Sequence, residues 1–398
     1  MHLTSALALS GALASTASAL NLPSFNQQAI DSGAALASLN KLASANASKN
    51  FKGSCKANNV KVRQEWHTLP PGQRRQFIKA VQCIQKSPSV FPDIEGAVTG
   101  YDDFTWVHLI NTVNIHYSGL FLSWHRLFIH QYEKKLEACG WKGGLPYWEW
   151  GMDTKDITKS PVFDGSDTSI GGNGEYIPHE GLTMPMWPDR GTTDLPPANG
   201  SGCVTKGPFG GMQTHLGPVA LPDYGSPTYS SAANPAAKNT RCLKRDLNTA
   251  VLRTEGSFRN STNLILSSPD IDIFHAALEG DLRYNNDTRY APFKDAKSVH
   301  FGGHFSIGGD PGSDAFSSCG DPAFWLHHSQ IDRMWWIWQN LDFANRQGVF
   351  GTHTMLNQPP SDNVTVEEFL DIHPDFPSTQ IKKLMNTVGD EPLCYVYA

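Results

Sequence analysis

From Asp321 to Trp338 the chain reads DPAFWLHHSQIDRMWWIW, and no other stretch constrains the fold as tightly. Asp321 can accept hydrogen bonds from the free N–H groups of a helix start, and Pro322 suits a first turn, where no donor is needed. The pattern predicts a helix from there through Trp338. Adjacent residues point roughly 100° apart around a helix axis, so His327 and His328 cannot serve one purpose together. At most one of them is a ligand.

Helical spacing recurs elsewhere. Val60 to Ser87 carries apolar residues at near-helical steps, and Leu120, Trp124, Leu127, Phe128, Tyr132 and Leu136 predict a helix over Gly119 to Cys139, with Gly140 as its stop. Similar patterning returns over Ile271 to Leu282 and again from Val299. Residues 20 to 50, rich in Ala, Ser and Asn, read as a helix or a loose surface arm. Between Asp153 and Asn239 periodicity disappears under Gly, Pro, Ser and Thr, a stretch too long for an ordinary connection unless it is functional or pinned. Few segments look like strands. The expected class is mainly α, a helical bundle under long irregular loops, built as one domain.

Fifteen histidines is a high count, and their grouping matters more than the number. His108, His116 and His125 form one group; His300, His304 and His328 form another. His300 and His304, four apart, leave one helix face together and can converge on one ion, with His328 arriving from the separate helix. A histidine pair at this spacing is often merely structural, its imidazoles satisfying buried backbone groups. Two triads flanked by tryptophans are harder to explain that way. Neutral imidazoles suit copper, zinc, iron or nickel and leave positions open for a small molecule. HFGGH lacks the glutamate that a zinc protease needs as its base, and no cysteine or carboxylate stands at comparable spacing, which points to a redox metal. Asp332, one turn beyond His328, is a candidate acceptor behind that ligand, or else an ion-pair partner of Arg333.

The first residues, MHLTSALALSGALASTASA, resemble a secretory signal peptide ending at an A-x-A site, so 1–19 is expected to be removed and 20–398 to form the catalytic domain. The signal stretch is too short to span a bilayer, and no later segment is apolar enough to do so. Sequons at Asn46, Asn199, Asn260, Asn286 and Asn363 agree with secretion and mark possible N-glycan sites. Seven cysteines in an oxidising compartment suggest three disulfides and one leftover thiol. Spacing does not determine the pairing; the expectation adopted is Cys55–Cys394, Cys83–Cys139 and Cys203–Cys242, with Cys319 free. A net charge of −6 argues against nucleic acid as a partner.

GLFLSWHRLFIHQYEKKL, LPYWEW, LEG, HFGGH and DPAFWLHHSQIDRMWW together resemble the signatures of tyrosinases, catechol oxidases and haemocyanins, the dinuclear (type-3) copper proteins. The likeness runs from about Arg63 to Tyr397 and is greatest to short secreted fungal polyphenol oxidases. It implies a four-helix core holding two copper ions, the first on His108, His116 and His125, the second on His300, His304 and His328. It implies O₂ as co-substrate and small phenols as substrates, with no membrane or nucleic-acid partner. His327 would then be a neighbouring hydrogen-bonding residue. Phe324 matches the aromatic that packs on the second copper's imidazoles, and Tyr395 and Tyr397 match a Y-x-Y that packs near an arginine, here Arg63.

Departures from the family pattern shape the functional expectation. Many relatives carry a cysteine two residues before the second ligand, crosslinked to a histidine; here Asn114 stands there, so no such thioether is expected. YWEW replaces YWDW, and Gln330 replaces a common Asn. The absence of a C-terminal lid domain implies activity without proteolytic release. In tyrosinases a glutamate of the LEG motif and an asparagine after the second copper's first ligand are thought to hold a water that helps deprotonate a phenol. Glu279 is present, but Phe301 occupies the asparagine's position. The expectation is a catechol oxidase with weak or absent monophenol hydroxylation; the alternatives are a tyrosinase with substantial monophenolase activity and, further off, a haemocyanin-like oxygen carrier.

Overall fold

In the computed structural model, residues 22–185, 192–221, 234–294 and 296–398 are described. The expected signal peptide over 1–19 lies outside them. Labelled in chain order, the helices are α1 (Gln27–Asp31), α2 (Ala34–Ala47), α3 (Pro71–Ile84), α4 (Gly100–Ile115), α5 (Phe121–Ala138), α6 (Thr249–Glu255), α7 (Phe258–Ser267), α8 (Ile271–Glu279), α9 (Val299–Ile307), α10 (Ala323–Leu341) and α11 (Ile381–Leu384).

Every residue of α10 is buried, because this helix carries large aromatics on all sides and other elements surround it. Helix α2 lies along it with Leu36, Leu39, Ala43 and Ala47 buried, the two alanines small enough to permit close approach. Residues 34–47 are therefore a packed helix and not a loose arm. Helices α5 and α9 contact α10 from other directions, and α4 packs on α5. These four, α4, α5, α9 and α10, form the core that carries the six histidines of interest. The fold is mainly helical, as expected.

Strands occur only as two-stranded pairs among the described residues. Strands β1 (Lys61–Arg63) and β10 (Tyr395–Tyr397) run parallel with Arg63 opposite Tyr397, so the stretch from Val60 opens as a strand before α3 begins. In the Gly- and Pro-rich region, β2 (Gly174–Tyr176) pairs with β5 (Ser201–Val204), β3 (Leu182–Pro185) with β4 (Thr192–Leu195), and β6 (Gln213–Thr214) with β7 (Arg241–Cys242). A last pair joins β8 (Phe369–Leu370) to β9 (Thr379–Gln380).

That region is pinned in three ways. The disulfide Cys203–Cys242 closes it, Arg245 makes a buried bidentate pair with Asp321 at 2.6 and 2.8 Å, and Arg241 grips Asp310 at 2.7 Å through two nitrogens. The N-cap of α10 is Pro322 and not Asp321, one residue later than expected; Asp321 still accepts the N–H of Ala323, the first helical residue, at 2.8 Å while it grips the long loop. Cys55–Cys394 and Cys83–Cys139 form the other disulfides, and Cys319 is free and buried. No helix is long and apolar enough to cross a membrane among the described residues.

Candidate metal centre

The first histidine triad is set by helix ends and by backbone acceptors. His108 sits inside α4, His116 just beyond its C-terminus, and His125 in the second turn of α5. In each, Nδ1–H donates to a carbonyl: Phe316 at 2.8 Å, Thr112 at 2.9 Å and Phe121 at 2.8 Å. Donation from Nδ1 leaves the lone pair on Nε2, the atom each ring turns toward the others. Nε2 of His108 and of His125 is buried with no partner. The ligand atoms of these three residues lie within 4.8 Å of one another.

His300 and His304 leave α9 on one face and meet His328 of α10. The Nε2 atoms of His304 and His328 stand 3.1 Å apart, and Nε2 of His300 has no partner. The two groups face each other: the ring of His125 stacks on His328 at 4.6 Å, and that of His116 on His300 at 6.0 Å. Burial lowers the pKa of His108, His125, His300 and His328 well below the usual imidazole value, with neighbouring imidazoles adding to it. His304 falls to about 3 for the same reasons. Six neutral rings in two facing triads, with the Nε2 atoms of His108, His125 and His300 buried and unpartnered, suit a pair of metal ions. His300 and His304 are only half-buried, so the site opens on the α9 side.

The same grouping of potential ligands also includes His327. Its ring stacks on His300 at 5.7 Å and packs against Trp150 at 5.4 Å, whereas His328 stacks on Phe324 at 4.1 Å and faces His125 of the opposite triad. His328 is thus the member of the pair that points between the triads. The His327 ring lies against the backbone of His300, and its strongest contacts are with rings. Its ring fills the space beside Gly303, where any Cβ would collide with it, while Gly302 leaves room for Glu255 of α6. The two glycines of HFGGH let α9 sit close enough for its histidines to reach the site.

Phe324 touches rings of both triads, lying 5.4 Å from His108 and 5.8 Å from His304 as well as stacking on His328. Phe301 is half-buried against Phe305 at 4.4 Å, in a small apolar cluster with Leu182, Leu195 and Val251 at the base of the β3–β4 hairpin. Glu279 is buried at the end of α8. Both its oxygens accept the Tyr117 N–H, at 2.9 and 3.0 Å, and Oε2 lies 2.6 Å from Nε2 of His275. Tyr117, directly after ligand candidate His116, has a left-handed backbone (φ 48°) that aims this N–H at the carboxylate. His275 escaped the sequence analysis; its signal was the i, i+4 spacing to Glu279 on one helix.

One turn beyond His328 on α10, the expected role of Asp332 is corrected. It neither supports His328, whose Nδ1 has no partner, nor pairs with Arg333. Its carboxylate accepts from Arg63 at 3.1 Å, Arg126 at 2.6 Å and the hydroxyls of Tyr395 and Tyr397, both at 2.6 Å. Burial alone would raise this carboxyl; the charges of Arg126 and Arg63 outweigh it and hold it below the usual range. Arg63 lies under the Tyr395 ring at 3.6 Å, which is the packing expected of the Y-x-Y. Arg333 turns instead to Glu149 at 2.7 Å, and Gln330 donates to that same Glu149 at 3.0 Å. The two departures from the family pattern, YWEW and Gln330, are therefore partners in space.

The common central domain of tyrosinase matches residues 98–341 of this chain. The chain belongs to the tyrosinase family. It is 37% identical over 344 residues to tyrosinase P of Aspergillus terreus, covering 84% of this chain and 91% of the relative. To the tyrosinase-like protein orsC of Emericella nidulans it is 36% identical over 319 residues, covering 77% and 81%. A polyphenol oxidase structure from Thermothelomyces thermophila superposes with a TM-score of 0.83 at 35% identity, covering 92% of this chain and 98% of that one. Tyrosinase-family proteins are oxidoreductases that bind a dinuclear copper and use O₂, and the two histidine clusters fit such a centre.

Proposed function

We propose that this chain is a secreted o-diphenol oxidase that uses two coppers and O₂ to convert catechols to o-quinones, with little hydroxylation of monophenols. His108, His116 and His125 would hold the first copper, and His300, His304 and His328 the second. The observation that carries the reading is the convergence of buried, unpartnered Nε2 atoms from two facing triads. Bound copper would supply the redox chemistry, taking electrons from the catechol and passing them to O₂.

The rest of the work falls to the protein. The carbonyls of Phe316, Thr112 and Phe121 hold three imidazoles in the metal-binding tautomer. Phe324 fixes rings from both triads in place and keeps water from the inner side of the site. A catechol would enter beside half-buried His300 and His304, where the Phe301 ring offers apolar contact and no acceptor for a phenol proton. Preference for catechols rests on Phe301 and on the occupied state of Glu279.

Secretion would follow removal of 1–19, leaving 20–398 as one catalytic domain. Asn199 and Asn363 are exposed and suited to glycans, whereas the amide of Asn46 donates to the Asn340 carbonyl at 2.9 Å and that of Asn260 to the Thr254 carbonyl at 2.7 Å. Peptide mapping of the secreted protein should find glycan at Asn199 and Asn363 and bare asparagine at Asn46 and Asn260.

The deciding experiment measures copper per chain and O₂ consumption on one purified sample, with 4-tert-butylcatechol and tyrosine as parallel substrates. Two coppers with rapid catechol oxidation and slow attack on tyrosine is the expected result. Brisk tyrosine hydroxylation would sink the catechol preference, and full copper without turnover of either substrate would point to an oxygen carrier.

A further inference from the structure

Glu279 is a buried carboxylate held by the backbone N–H of Tyr117, the residue directly after ligand candidate His116. A phenol bound at the metals must lose its hydroxyl proton, and a carboxylate beside them is a natural acceptor. The hydrogen bonds around Glu279 bear directly on whether it can take that proton. Tyr117 N–H bridges both oxygens, and Oε2 faces Nε2 of His275 at 2.6 Å. The other nitrogen of His275 faces the Phe350 carbonyl at 3.3 Å. Both partners of the ring are acceptors, and the shorter contact, to the carboxylate, assigns a proton to Nε2, which donates to Glu279. The ring is also fixed sterically: it stacks on Phe121 at 5.7 Å, and Phe121 stands edge-on to His300 at 4.8 Å. His275 and Glu279 together line a small cleft with Tyr117, Asp272, Asp281 and Arg283.

We propose that His275 is a positioning residue that sets substrate preference, holding the Glu279 carboxylate by an Nε2–H donor so that Oε2 is withheld from an incoming monophenol. This rests on the o-diphenol oxidase reading of the site. Without the donor, Oε2 is free to accept the phenol O–H proton, leaving a phenolate and a carboxylic acid. Catechols depend less on this acceptor, because their hydroxyls are more acidic and two of them can reach the metals.

The test uses copper-loaded full-length protein and reads the ratio of tyrosine hydroxylation to 4-tert-butylcatechol oxidation per bound copper. H275F keeps the stacking on Phe121 without a donor, and H275N keeps a donor only for the Phe350 carbonyl. Both should raise the ratio about tenfold, a small part of what a freed general base can contribute. H275Q, whose amide nitrogen can replace Nε2, should stay close to the parent, and adding E279Q to H275F should erase the gain. An unchanged ratio in H275F and H275N at full copper overturns the proposal, as does a parallel fall of both activities in all three variants. Nitrogen-15 spectra of the reduced, diamagnetic holoprotein give an independent reading: a His275 ring without a proton on Nε2 overturns it whatever the variants do. The parent's own ratio tests the diphenol preference separately. A parent that hydroxylates tyrosine briskly sinks that preference, while the shift between parent and H275F still decides the role of His275.

Discussion

Two successive turns of α10 treat polar atoms in opposite ways. At the first, Nδ1 of His328 has no partner and its Nε2 confronts another imidazole; one turn on, Asp332 is met by two guanidiniums and two hydroxyls. A buried polar group left unsatisfied costs roughly 1–3 kcal/mol, so a cluster of them persists only where something outside the chain completes it. A saturated carboxylate needs nothing further and serves the fold. Unmet bonding capacity is what separates His328 from Asp332, one turn away on the same side of this helix.

The largest test of that contrast is His328→Ala. Copper per chain should fall, and catechol oxidation should drop by more than the roughly 10–100-fold typical of losing a residue behind a ligand. The metal-free protein should lose less stability than in Asp332→Ala, because only the single contact to His304 is lost and no buried charge is stranded. Comparable destabilisation by the two changes in urea would break the comparison.

Asp332→Ala comes next. It leaves Arg63 and Arg126 buried without their shared carboxylate, a loss of about 3–5 kcal/mol in equilibrium unfolding. A denaturation midpoint near that of the parent would mean that the network is not what holds α10 to the Y-x-Y strand.

His67 sharpens the contrast from the side of a histidine whose nitrogens are both met, by Glu65 at 2.6 Å and Asp153 at 3.1 Å. Burial opposes its charge, but Asp153 and Glu65 outweigh that and lift its pKa to about 9. Since the folded value exceeds the ordinary one, the stabilisation is complete below about pH 6.5 and is lost as pH rises through about 9. Unfolding measured across this window should reveal a contribution on the order of 1–3 kcal/mol that is absent from His67→Gln. A parent and variant with parallel stability curves would refute it.

The smallest expected effect is Glu149→Asp, which shortens the reach to both Arg333 and Gln330 and should cost about 1 kcal/mol. Adding Gln330→Leu should cost less than the sum of the two single changes, because the partners are coupled; strict additivity in a double-mutant cycle would show that they act independently.

Much was readable in advance because it depended on local chemistry. Helical spacing located α5 and α10, the i, i+4 step put His300 and His304 on one face, and motifs together with family resemblance supplied both triads. The disulfide partners had to be assumed, since Cys55 and Cys394 lie 339 residues apart and nothing local relates them. The near-helical spacing from Val60 to Ser87 corresponds to α3 over its second half, while Lys61–Arg63 forms a strand because it pairs with the far end of the chain.

What the sequence by itself determined is the set of groups able to bind metal and the helices that carry them, because residue type and helical period act within a few turns. The tertiary structure decided what each polar group does once buried. Only in space does His328 face the other triad while His327 fills the room beside Gly303, does Asp332 meet Arg63 in place of Arg333, and do Glu149 and Gln330 become partners. A buried donor or acceptor is defined by the partner within about 3 Å of it, and that partner can come from anywhere along the chain.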